Sequence, residues 1–456
     1  MAEIKTYQDF LKIGKDEKKR KDFVRALIDE HKRSDHYIDA ANAYEYYCHR
    51  NKTINEFQKL LYTVSGKAIP DIWSANFKMA SRFFYRFVTQ EVQYLLGNGI
   101  TWGNKETESK LGTGRKSIDR QTKSAASKAL WGRQAFGFYD KDHVEVFSYL
   151  EYVPLYDEYN GAMMAGVRFW QIDDSHPLRA TLYEIDGFTK YVWNTKENLD
   201  EPKRAYIQKA VSTEADGTEI YDERNYPTFP IVPFWANEEH INDFVGLREQ
   251  IDCFDLIKSG FANDVDDASL IYWTISNAGG MTDVDLAKFV QRIKTLHAAS
   301  TKDEGAQAES HTQDVPYQSR EALLDRLEKD LYKDAMALDT ERIAGGAATA
   351  TEIIAAYESL NAKCDDFEFQ VIDFLKGILE VAGIEDEPTF TRSILINQTE
   401  MINSLSTAAA YLPESYIAEK LLTVLGDADK VEEVLAEMDA DELDRFGNIN
   451  NEDESE

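Results

Sequence analysis

Three groupings of residues have the types and spacing to invite a chemical reading. The first is Gly112-Thr113-Gly114-Arg115-Lys116-Ser117, which sets glycines, a lysine and a hydroxyl in the order of a phosphate-binding loop. Such a loop needs Gly directly before Lys, so that backbone N–H groups wrap the phosphate, and an apolar strand leading in. Arg115 stands in that place and residues 106–111 make no buried apolar strand, so the segment reads as a polar loop. With Arg120, Lys123, Lys128 and Arg133 it forms a basic stretch, read first as a solvated face, then as a partner contact, then as a DNA contact. The second grouping, Asp264, Asp266 and Asp267, lacks supporting His or Glu and has neither the Gly nor the final Glu of a calcium loop, so it reads as an acidic helix surface. The third is the eight histidines and three cysteines. They show no HExxH and no CxxC, and no GxSxG elbow occurs in the chain. No catalytic, metal or cofactor site is expected, and the chain is read as not an enzyme.

The elements that would carry these residues follow from periodicity. Phe77, Ala80, Phe84, Phe87, Val88, Val92 and Leu95 recur at helical spacing over residues 76–96, with Gly97 and Gly99 as a stop. Residues 136–193 switch to short β-branched and aromatic runs divided by turn residues, which predicts an antiparallel sheet. Residues 213–230 read as a polar loop. A strong helix starts near Asp243, with Asp252, Asp255, Asp264, Asp266 and Asp267 off its apolar stripe. A small insert follows, read as strand 270–275, helix 283–296, polar loop 301–313 and strand 315–317. Ser319 then caps a helix with the stripe Leu324, Leu327, Leu331, Ala335, Leu338. After a hinge of small residues at 340–350, Ile353, Tyr357, Leu360, Cys364, Phe367, Val371, Leu375 and Ile378 predict a helix from 351 to about 382. Helices are also expected at 400–411 and 414–425.

Composition narrows the partners. The 456 residues hold 51 Lys and Arg against 82 Asp and Glu, a net charge of −31. A broad basic face that grips DNA by counterion release is therefore excluded, as is docking on anionic lipid. Cys48, Cys253 and Cys364 lie too far apart for a disulfide framework, which points to a reducing compartment. No signal core or membrane-spanning run is expected. The last 30 residues, with 13 acids and 2 bases, read as a disordered tail.

Ordered fragments along residues 35–425 carry a resemblance. They include Tyr46-Tyr47, Asn76-Phe77, Tyr94-Leu95-Leu96-Gly97-Asn98-Gly99-Ile100-Thr101, Gly137-Phe138-Tyr139-Asp140 and Val153-Pro154-Leu155-Tyr156-Asp157-Glu158. Ala165-Gly166-Val167-Arg168-Phe169, Thr181-Leu182-Tyr183-Glu184 and Thr349-Ala350-Thr351-Glu352-Ile353 continue the series. In order and spacing the chain resembles the portal (head-to-tail connector) proteins of tailed double-stranded DNA phages, especially the siphophage type from Gram-positive hosts.

The resemblance implies an α+β, helix-rich subunit that assembles into a ring, usually of twelve, at one capsid vertex. Its parts would be a wing (1–242), a stem helix (243–269), a clip (270–318), a second stem helix (319–339) and a tunnel loop (340–350). A long helix returning to the wing (351–398), crown helices (399–426) and the acidic tail (427–456) would follow. It further implies a DNA channel walled by Asp252, Asp255, Lys258, Asp264 and Asp267, with Ile343, Gly345, Gly346, Ala347 and Ala348 in the tunnel loop. Expected partners are further copies of the chain, the passing duplex, terminase, a head-completion or tail adaptor, and the major capsid and scaffolding proteins, with no membrane. The location implied is the virion, after assembly in the host cytoplasm. Two other readings are carried beside it: an intracellular scaffold or adaptor without a channel, and a nucleic-acid enzyme of the packaging machinery.

Overall fold

The computed structural model describes residues 5–62, 66–72, 74–195, 199–213, 219–268, 272–276, 282, 284, 307–311, 317–340, 350–393, 402, 405–425, 431 and 434–435. The chain opens with helices α1 (Tyr7–Ile13), α2 (Glu17–His31), α3 (Asp35–Tyr47) and α4 (Lys52–Glu56), each started by a side-chain cap from Thr6, Asp16, Ser34 or Asn51. Strands β1 (Leu60–Tyr62) and β2 (Ala68–Pro70) pair, then α5 (Phe83–Leu96), β3 (Ile100–Trp102), α6 (Lys105–Lys110) and α7 (Ile118–Gly132) follow. Next come β4 (Gln134–Asp140), β5 (His143–Ser148), β6 (Tyr152–Tyr156), β7 (Met163–Trp170), β8 (Leu178–Glu184), β9 (Gly187–Trp193) and β10 (Glu201–Arg204). The first half ends with β11 (Ile207–Thr213), β12 (Glu219–Arg224) and β13 (Ile231–Trp235). Helix α8 (Arg248–Ala268), strands β14 (Tyr272–Ser276) and β15 (Gln307–His311), helices α9 (Tyr317–Asp334) and α10 (Ala350–Ala382), strand β16 (Pro388–Phe390) and helix α11 (Glu414–Leu425) complete it.

The body is a stack of four layers. The five-stranded sheet β10-β9-β8-β7-β6 is antiparallel, so alternate residues point to opposite faces. Val153, Val167, Phe169, Ala180 and Leu182 pack on Phe10, Val24, Leu27 and Ile28 of α1 and α2. From the other face Tyr152 and Tyr183 meet Phe136, Phe138 and Phe147 of the three-stranded sheet β13-β4-β5. The far side of that second sheet takes α10. Phe234 stacks on Phe367 and Phe374, with ring centroids 5.7 and 4.9 Å apart. Two glycines allow the close approach: a Cβ on Gly137 would lie 2.6 Å from the Phe374 ring, and one on Gly377 would lie 2.6 Å from Val232. Strand β16 returns to the first half by pairing with β3, Pro388 opposite Trp102.

The structure redraws several expected boundaries. Residues 76–82 are not helical; the helix starts at Phe83, and the extended stretch before it finds its hydrogen bonds elsewhere. The expected loop at 213–230 contains β12, which pairs with β11. In the insert the partner of β14 is β15 at Gln307–His311, in the expected polar loop, whereas Tyr317 already belongs to α9. Ser319 is therefore inside that helix, not its cap. Most of the expected helix at 283–296, the tunnel loop from 341 to 349 and most of 394–404 and 426–456 lie outside the described residues.

The glycines give a test. Gly377→Val should cost the subunit about 1–3 kcal/mol through overpacking against β13. Gly260→Ala on α8, where an added Cβ meets nothing within 4 Å, should add about 0.5–1 kcal/mol. Urea unfolding of the isolated subunit reads both.

Candidate functional site

Helices α8 and α9 form an antiparallel pair that leaves the body. Near its root Gln250 Nε2 donates to Asp334 Oδ2 at 2.6 Å, and toward the other end Arg320 pairs with Asp264. Fourteen residues separate the two anchors on each helix, so the pair stays in register over about 21 Å. Leu324 and Leu327 are half-buried along this length, and Leu331 is fully buried at the root. The hairpin β14–β15 follows α8 in sequence and leads into α9, Tyr272 pairing with His311 and Ser276 with Gln307.

One face of α8 is fastened by a ladder of polar side chains. Asp255, Ser259 and Asn263 sit four residues apart and are 0, 5 and 2% exposed. Asp255 Oδ1 accepts the N–H of Ser81 at 2.9 Å, Ser259 Oγ that of Met79 at 3.0 Å, and Asn263 Oδ1 that of Phe77 at 2.6 Å. Four helical residues rise about 6 Å and two extended residues about 6.6 Å, so the two periods match over three rungs. This is where the hydrogen bonds of residues 76–82 go. Asp255 Oδ2 also takes Asn51 Nδ2 at 2.7 Å, and burial lifts its carboxyl above the usual range against the pull of the Asn51 and Ser81 bonds. One turn earlier Asp252 accepts the Tyr46 hydroxyl and, at 2.8 Å, that of Thr53. Burial, then the neighbouring Asp252, push Tyr46 up to about 12.

The root of the pair, where α8 begins and α9 ends, is also held by α5 and α10. Lys363 Nζ lies 2.7 Å from Glu91 Oε2 and 2.5 Å from Asp243 Oδ2, just ahead of α8. It also reaches the Ala335 carbonyl, just after α9, at 3.5 Å. The neighbouring Gln90 exchanges two 2.9 Å hydrogen bonds with the backbone of Leu338. Glu91 is 2% exposed, and desolvation pushes its carboxyl up to about 8 despite Lys363. Burial works to lower the Lys363 ammonium, but Asp243 and Glu91 more than offset it and hold it above the ordinary lysine value. Lys363 therefore stays charged, and Glu91 holds a proton more readily than an ordinary glutamate. Next to it, burial raises the Cys364 thiol far enough to leave it unreactive.

The residues expected to wall a channel are thus divided. Asp255 is a correction: it is sealed inside the subunit and cannot face a passage. Asp252 is turned toward Tyr46 and Thr53 rather than outward, and Asp264 is paired with Arg320. Lys258 lies half-buried with its ammonium 5.6 Å from the Phe254 ring centroid. Asp267 belongs to α8, but its side chain is outside the described residues, as are Ile343, Gly345, Gly346, Ala347 and Ala348. The basic stretch is largely spent on the fold. Lys128 donates to the Val146 carbonyl, Arg133 to that of His240, and Lys123 to that of Gly97. Among the described residues one group, Asp140, His143 and Glu145, brings metal-ligating atoms within 4.8 Å of one another. Lys116 Nζ stands 2.7 Å from His143 Nε2 and Asp142 takes Nδ1, so both ring nitrogens are engaged and the set does not suit a cation.

Comparison with known proteins decides the family. The profile of the family described as "Phage portal protein, SPP1 Gp6-like" matches residues 26–443. The chain belongs to this family. The family comprises structural capsid components rather than enzymes. The portal protein of Clostridium phage phiCD119 (strain Clostridium difficile/United States/Govind/2006) is 26% identical over 207 residues, 43% of this chain and 45% of that protein. That of Bacillus phage SPP1 is 23% identical over 419 residues, 84% of this chain and 79% of that protein. The match thus spans under half of the first relative and about four fifths of the second. Among solved structures, a chain from "Neck of empty GTA particle computed with C6 symmetry" matches with a TM-score of 0.45 at 11% identity, covering 75% of this portal chain and 90% of its own. One from "Neck of native GTA particle computed with C12 symmetry" matches at 0.41 and 10%, covering 74% and 89%.

The polar root makes two tests. Lys363→Met leaves buried carboxylates without their cation and should cost about 3–5 kcal/mol, whereas Glu91→Gln should cost far less. The folded state holds Glu91 above its unfolded value of 4.5, so its contribution is complete below that pH and is lost as pH rises through about 8. Glu91→Gln should flatten the pH dependence of denaturant stability across that window. Separately, Ser259→Ala removes the acceptor of the Met79 N–H and should cost about 1–3 kcal/mol by the same assay.

Proposed function

We propose that twelve copies of this portal chain close into a ring whose axial passage conducts double-stranded DNA during packaging and ejection. In this reading α8 and α9 are the stem, and β14–β15 belongs to the clip that meets terminase first and a head-completion or tail adaptor later. The segment between α9 and α10, with Ile343, Gly345, Gly346, Ala347 and Ala348, is the loop nearest the DNA, and α11 belongs to the crown. The body of four layers is the wing, set among the major capsid and scaffolding proteins. The ring sits at the portal vertex of the virion after assembly in the host cytoplasm.

The observation that carries this is the helix pair itself. It is gripped at its root and along one face of α8, yet its other flanks keep large apolar residues in the open: Leu256, Val265, Tyr317 and Leu323 are 42–56% exposed. A monomer gains nothing from that exposure, and neighbouring pairs side by side would cover it. Twelve helices about 10 Å wide give a circumference of about 120 Å and an axis-to-axis diameter near 38 Å. Removing one helix width leaves about 28 Å, enough for a duplex about 20 Å across, whereas six helices would leave only about 9 Å. With Asp252 and Asp255 turned inward, the acids that would face the passage in this reading are exposed ones such as Asp266, Glu321 and Asp325. Carboxylates there would repel the DNA backbone and let it slide, where a basic wall would hold it by counterion release.

Electron microscopy of the assembled protein tests the proposal. The expected image is a ring with a through-hole wide enough for duplex DNA and acidic walls. A solid particle, or a hole walled by Lys and Arg, would overturn it. In a packaging assay, Asp266→Lys with Glu321→Lys and Asp325→Lys should slow translocation, and unchanged packaging would remove these residues from the wall.

A further inference from the structure

The two outer layers of the body carry opposite charge. Between Lys5 and Arg33, which covers α1 and α2, ten Lys and Arg face six Asp and Glu, a local balance of +4 in a chain of −31. Helix α10 holds seven acids and two lysines, a balance of −5. The stacking order places these helices on opposite outer faces, with two sheets between them, so they cannot meet within one subunit.

Each face also exposes an apolar residue amid charge without a partner. On α10, Asp366, Phe369, Asp373 and Glu380 share the outward stripe at helical spacing, and Phe369 is 63% exposed. Lys376 is the single base on this stripe. On the opposite face Leu11 is 56% exposed, and Lys15 and Lys18, four and seven residues further along the chain, are exposed as well. Lys12 and Lys19 are occupied by Asp9 and Asp16, but Lys15 and Lys18 have no ion-pair partner among the described residues, and neither have Asp366, Asp373 and Glu380.

A ring that closes head to tail needs two different patches on opposite sides of each copy, and complementary charge selects the partner and fixes register. We propose that the outward face of α10 on one copy docks on the α1–α2 face of the next, with Asp366 and Asp373 set against Lys15 and Lys18 and with Phe369 and Leu11 covered at the centre. The occupant of each patch is a second copy of this chain, and neither patch is complete without it. This contact rests on the ring reading above.

Charge reversal tests it. The variants K15E/K18E and D366K/D373K are purified separately and compared with the unaltered chain by native mass spectrometry and negative-stain microscopy, with circular dichroism as a check on folding. Each variant alone should lose at least tenfold in ring fraction. An equimolar mixture should recover rings, because an alternating arrangement restores opposite charge at every junction, and the mixture also shows that both variants are folded. Rings at the unaltered level from either variant alone would overturn the contact, and so would a mixture that fails to recover. Failure of the unaltered chain to form rings would overturn the ring reading itself, a separate outcome.

Discussion

A helix pair that leaves the body has to be anchored where it leaves, and in this chain one buried ammonium group does much of that. Lys363 touches Glu91 on α5, Asp243 at the entrance to α8 and the Ala335 carbonyl at the exit of α9. Two carboxylates and one ammonium out of water are tolerated only because each has the other within contact distance and one carboxyl can hold a proton. Such a cluster adds little net stability over an apolar packing of the same volume, but it is demanding about geometry. It joins four segments that are remote in sequence, and an apolar substitute would join them without fixing their register.

The rest of the anchorage applies the same logic with neutral groups. The extended stretch at 76–82 lies beside a helix rather than a strand, and its N–H groups are satisfied because Asp255, Ser259 and Asn263 recur at the helical period. Gln90 acts on Leu338 as a neighbouring strand would, giving one hydrogen bond and taking another. The body that receives these bonds is stiff for an ordinary reason: two sheets and two helical layers interdigitate through aromatic side chains, with glycines where backbones come close.

Much of this architecture was legible in the sequence. The change of period between the helical and strand regions, the long regular stripe after residue 350, and the ordered fragments of the portal family gave the element types and the fold class. Asp255 was misread because a helical wheel shows which residues lie off the apolar stripe, not whether a segment remote in sequence lies there to be hydrogen-bonded. The signals were nevertheless present. Asp255-x3-Ser259-x3-Asn263 is a polar stripe, and Glu91 and Lys363 each interrupt an otherwise apolar one. A lone charge inside an apolar stripe asks for a partner, but a single sequence does not say that the two belong to each other. Strand β15 was missed for another reason, since Gln307–His311 has neither β-branched nor large aromatic residues to mark it as a strand.

The placement of Arg86, Gln90 and Glu91 within two turns of α5 has a mechanical consequence. Arg86 reaches the Tyr332 hydroxyl on α9, Gln90 clamps the chain just after α9, and Glu91 is tied through Lys363 to the approach to α8. The projecting pair is thus a cantilever clamped at its base. A transverse load at its tip becomes a bending moment concentrated on a few residues of α5, and the ladder along α8 acts as the strut that shortens the free arm.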